Sequence, residues 1–131
     1  MVAFRRIVMT GSAAVYLLLG LGISFFPVET GQVLGTVSQS GMDLLLMKVV
    51  GALLFGFGVI NLMARKSAIG GIYGRAIVLG NIMTALIIGS QFLKFIFSGT
   101  DVGLLVWAVT ILFLILFLAF LKLFFTPPVE Q

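Results

Sequence analysis

Four stretches of this chain, roughly residues 7–26, 44–64, 76–97 and 104–125, are each long, apolar and almost free of charge. A bilayer's hydrocarbon layer is about 30 Å thick, and about 20 helical residues cross it with every backbone N–H and C=O satisfied inside the segment. A chain of 131 residues with four such runs has room for little else. It predicts an all-α fold: one domain over 1–131, an integral membrane four-helix bundle. Composition agrees, with 61% hydrophobic and 9% charged residues, where soluble domains carry about a quarter charged.

Charge sets the expected orientation. Arg5 and Arg6 precede the first run as in a signal peptide, but the run is too long and no small-residue cleavage site follows "SFFPVETG", so it reads as a retained span. With the N-terminus inside, Arg5, Arg6, Arg65, Lys66, Arg75 and Lys122 fall on the cytoplasmic side, and only Lys48 and Lys94 fall outside. That bias predicts both termini in the cytoplasm. The same residues explain the net charge of +4 without nucleic acid as a partner: they flank spans and face anionic headgroups.

The breaks between spans carry their own signals. Pro27 ends the first span, and Pro127 with Pro128 ends the last, since proline lacks the N–H that a continuing helix needs. "SGMD" predicts Ser40 as an N-cap with Asp43 three residues on, and "GTDVG" offers Thr100 or Asp101 for the fourth span. The outer connection from Pro27 to Met42 has room for a short interfacial helix. "LLLGLGIS" (17–24) and "LLFGFGVI" (53–60) echo each other, but adjacent spans run antiparallel, so the two glycine pairs cannot meet at one depth.

Much chemistry is excluded at the level of residue types. The chain has no cysteine and no histidine, which removes thiolate sites, the commonest metal ligand and the usual general base. Glu29, Asp43, Asp101 and Glu130 all lie in or beside polar segments. No nucleophile and base pairing results, so the chain is expected not to be an enzyme and to need no cofactor or metal.

The polar and small residues inside the spans are the candidates that remain. Gly51 and Gly58 share a helix face, Ala52 and Gly56 form a small-x-x-x-small pair, and the third span pairs Gly80 with Thr84 and Ala85 with Gly89. These let helices approach closely, or they open a groove for a lipid or hydrophobic ligand. They place the second and third spans centrally, and the bulky fourth span, "LLVWAVTILFLILFLAFLKLFF", at the lipid. Trp107 within it reads as an interface anchor.

Asn61 and Asn81 reach similar depth if the inner hairpin turns near residue 70, and can hydrogen-bond across it or contact a polar ligand. Tyr16 sits mid-span, where a belt residue does not belong, so its hydroxyl needs a local partner or a place in a pocket. Ser12, Gly20 and Ser24 recur near it as an inward stripe. Lys48 stands about four residues, hence about 6 Å, inside the apolar boundary. It snorkels, or it joins Glu29, Asp43, Gln91 and Lys94 in a polar cluster that takes an anionic ligand or headgroup. The inner loop "ARKSAIGGIYGRA" carries Arg65, Lys66 and Arg75 with three glycines and Tyr73, a basic hairpin suited to anionic headgroups without Walker spacing.

Small multidrug transporters also have four short helices, but their proton coupling depends on a glutamate embedded in the first. Here that span carries Tyr16 and no carboxylate. "LLLGLGISFFP" and "MKVVGALLFGFGVINLMAR", over roughly residues 15–65, resemble instead small bacterial membrane proteins of the DoxX-like type. The resemblance rests on glycine spacing and hydropathy, and implies a four-helix bundle in a bacterial inner membrane. The expected function is non-catalytic: binding a lipid or small hydrophobic molecule in a helix groove. The alternative is an accessory or assembly subunit, whether in a homo-oligomer or a larger membrane complex.

Overall fold

The computed structural model describes residues 2–35, 40–66, 72–99 and 101–126. Within them the chain forms α1 (Val2–Phe25), α2 (Pro27–Val33), α3 (Gly41–Ala64), α4 (Ile72–Phe97) and α5 (Leu104–Phe125). All but α2 are long and apolar enough to cross a membrane. The protein is thus an all-α, multi-pass membrane bundle. The helices outrun the apolar stretches at α1 and α4, because hydropathy marks the bilayer and not the end of backbone hydrogen bonding. Arg5, Arg6 and Arg75 are good helix formers and continue the helices past the apolar runs.

The helix ends follow local rules. Pro27 occupies the first turn of α2, the short helix between the first two spans. Ser40 caps α3, its Oγ accepting from the Asp43 N–H at 3.2 Å. The cap of α5 departs from expectation: Gly103 takes the position without a side-chain bond, and Asp101 stands outside it. Thr100, Pro127 and Pro128 lie outside the described residues. Gly35 after α2 and Gly99 after α4 have φ of 78° and 81°, the left-handed conformation that closes a helix cheaply only with glycine.

The spans are arranged as two tight antiparallel pairs, α1 with α3 and α4 with α5, joined along a looser seam where α1 meets α5 and α3 meets α4. Glycine sets the first pair. A Cβ built on Gly51 would stand 2.8 Å from the Gly20 carbonyl oxygen, and one on Gly58 would stand 2.9 Å from the Leu17 nitrogen, so the backbones touch there. Gly20 thus meets Gly51, as antiparallel depth requires, and Gly22 and Gly56 meet nothing within 4 Å.

Large side chains line the seam. Tyr16, Phe113, Phe120 and Met9 are among the largest fully buried residues. This arrangement corrects the expected ranking of the helices. Of its spanning core α3 buries 17% and α5 buries 28%, with Val106, Thr110, Phe113, Leu116, Phe120 and Leu123 turned inward. The second span is therefore not the central one, and the fourth is not peripheral. Bulky residues suit an interior wherever helices stand far enough apart to hold them.

Candidate functional site

A buried polar network crosses the seam in the half of the bundle nearer the termini. Asn61 on α3 and Asn81 on α4 exchange two side-chain hydrogen bonds, each of 2.8 Å. Asn61 Nδ2 also donates to Ser12 Oγ on α1 at 3.0 Å, and Asn81 Nδ2 to the Ile77 carbonyl at 2.9 Å. The Ser12 hydroxyl in turn donates to the Met9 carbonyl at 3.1 Å. All three side chains are fully buried, and every donor is used. The asparagine pair was expected from depth alone. The link to Ser12 was not, because the rotation of α1 against α3 is set by the glycine contacts and has no signature within either span.

One turn beyond Ser12, Tyr16 is also fully buried. Its ring stacks on Phe113 of α5 with centroids 6.2 Å apart and meets Phe57 of α3 edge-on at 6.4 Å. The hydroxyl has no hydrogen-bond partner among the described residues, so the local bond expected for it is not made. An unsatisfied buried hydroxyl costs about 1–3 kcal/mol. Tyr16 shares one inward stripe with Arg5, Met9, Ser12 and Gly20. Ser24, the next polar residue of that helix, donates to the Lys48 carbonyl of α3 at 3.3 Å.

The candidates at the end opposite the termini do not converge. The Lys48 side chain is exposed, and no hydrogen bond or ion pair among the described residues joins it to Glu29, Gln91 or Lys94. Gly51 and Gly58 are covered by α1, so those two glycines hold a helix and do not border a groove with Lys48. The Ala52 and Gly56 pair behaves differently. Both residues are exposed on α3, beside Lys48 on the helix surface, and nothing stands within 4 Å of a Cβ built on Gly56.

At the end that carries the termini, Arg65 is half-buried and Lys66 and Arg75 are exposed. Tyr73 is 87% exposed. The loop glycines Gly70 and Gly71 lie outside the described residues. Among the described residues no group of three or more acidic, histidine or cysteine side chains is placed to hold a metal. Comparison of the chain with protein-family models, with curated proteins and with solved structures gives no match.

Proposed function

We propose that this membrane bundle is non-catalytic, resides in a bacterial inner membrane and binds a lipid or small hydrophobic molecule between its two helix pairs. The observation that carries the reading is Tyr16: a hydroxyl without a partner among the described residues, set among aromatic rings, on the seam where the pairs are least tightly joined. A single donor in an apolar wall fixes the orientation of a ligand that brings one acceptor oxygen. The Asn61 and Asn81 pair has spent its donors internally, so it borders the site and leaves the recognition to Tyr16.

Purified wild type is expected to carry a neutral, organic-extractable compound that Tyr16→Phe has lost. Stripped of the compound, the wild type should be no more stable than Tyr16→Phe, since its hydroxyl is then unpaired at a cost of about 1–3 kcal/mol, and adding the extract back should stabilise the wild type alone. Identical extracts from the two proteins overturn the reading. A second reading, an accessory subunit or homo-oligomer, is favoured by the outward Ala52 and Gly56 surface of α3, which admits close approach of another helix.

A further inference from the structure

The start of α1 meets the end of α5 through Phe4 and Lys122, whose ammonium stands 4.8 Å from the Phe4 ring centroid. This is a cation–π geometry. The next residue, Arg5, is half-buried, and its Nε is covered with no acceptor in reach. A guanidinium stays protonated, so this N–H of a charged group is withdrawn from water. Among the described residues no counter-charge is at hand: the described carboxylates, Glu29, Asp43 and Asp101, all belong to the opposite end of the bundle, while Arg6, Arg65, Lys66 and Arg75 share this one.

Lys122 has a second neighbourhood. It continues a stripe of α5 made by Ile111, Ile115, Leu118 and Phe125, all exposed, with Leu118 at 61%. On a spanning helix that stripe faces acyl chains. Two cations therefore stand at the head of an apolar track that runs toward the middle of the bilayer. A phospholipid presents the matching order, an anionic phosphate above its hydrocarbon.

We propose that Arg5 and Lys122 form a site for one anionic phospholipid at the corner between α1 and α5. The phosphate oxygens accept from the Arg5 guanidinium and the Lys122 ammonium, and an acyl chain lies along Leu118 and Ile115. Arg5 reaches the phosphate by turning about its own side-chain torsions, which a half-exposed arginine does readily. The site lies at the terminal end of the seam, about three helical turns from Tyr16 along α1, and does not depend on the ligand proposed there.

The test uses the full chain in nanodiscs of phosphatidylcholine with a minority of phosphatidylglycerol, followed by native mass spectrometry of the lipid retained. Lys122→Gln should lower retained phosphatidylglycerol about fivefold, the loss expected for one basic residue at a membrane surface. Adding Arg5→Gln should remove the remainder, and Lys122→Arg should keep most of it. Arg75→Gln, at the same end but on another helix, should lower retention clearly less than Lys122→Gln, since it removes only a diffuse attraction to anionic headgroups. Thermal stability in phosphatidylcholine alone should shift only slightly, through the lost Phe4 contact in Lys122→Gln and the relieved Arg5 donor in Arg5→Gln, and should not follow the order of lipid loss. Retention in Lys122→Gln equal to wild type, or an equal loss in Arg75→Gln, overturns the site. Displacement of the lipid by inorganic phosphate also overturns it, since the anion is then a soluble one. Should Arg5→Gln fail to fold, the exposed Lys122 variants decide alone.

Discussion

The asparagine pair shows how far a single residue can be read in a membrane span. An amide facing hydrocarbon is costly, so two amides at one depth on adjacent helices are expected to find each other, and Asn61 and Asn81 do. The Tyr16 hydroxyl was not legible in this way, because whether a buried donor has a partner depends on rotamers and on the rotation of neighbouring helices. The pair's strength is open to a double-mutant cycle. Asn61→Leu or Asn81→Leu alone leaves the other amide with one donor and its carbonyl oxygen unpaired in the interior, while its bond to Ser12 or to Ile77 remains, at a cost of about 1–3 kcal/mol each. The double change leaves no amide behind and should cost less than the sum, with a coupling of about 0.5–2 kcal/mol. Unfolding in detergent mixtures gives the four stabilities, and strict additivity would show that the two amides do not act as a pair.

Between helices, the sequence misled about α5 for a physical reason. In a soluble protein the inward face of a helix is marked by hydrophobic contrast; in a bilayer both faces are apolar and the contrast vanishes. Phe113 and Phe120 look no different from exposed Phe125 in the sequence, yet the first two are buried. The glycines were more informative, but only as a set, since Gly51 and Gly56 have opposite surroundings. Gly51→Ala places a methyl 2.7 Å from the Ser24 nitrogen and should separate α1 from α3, costing about 1–3 kcal/mol as overpacking does. Gly56→Ala meets nothing and should gain up to about 1 kcal/mol from helix propensity. Thermal unfolding in one detergent compares them, and equal effects would remove the close α1 and α3 contact as the basis of the pair. Loss of a copurifying protein from Gly56→Leu, with unchanged stability, would instead support the accessory-subunit reading.

For the whole molecule, the number of spans and their antiparallel order were legible because the hydrocarbon thickness fixes how long an apolar run must be. Four antiparallel spans return the C-terminus to the side of the N-terminus, and the Phe4 and Lys122 contact places those ends together. Which side that is depends on charge. Six of the eight basic residues lie at the terminal end, and the described carboxylates lie at the other, so retention of positive charge predicts the termini inside. The chain has no cysteine, which permits single introduced thiols at exposed positions: Gln32 on α2, at one end, and Lys66 just past α3, at the other. An impermeant maleimide should label Gln32→Cys in intact cells and Lys66→Cys only after the membrane is opened. Lys66→Cys also removes one of the six charges, so Leu34→Cys and Tyr73→Cys, which leave the charge untouched, repeat the comparison. Labelling of the Lys66 and Tyr73 positions in intact cells, with protection of those at Gln32 and Leu34, would invert the topology and place the Arg5 and Lys122 corner in the outer leaflet.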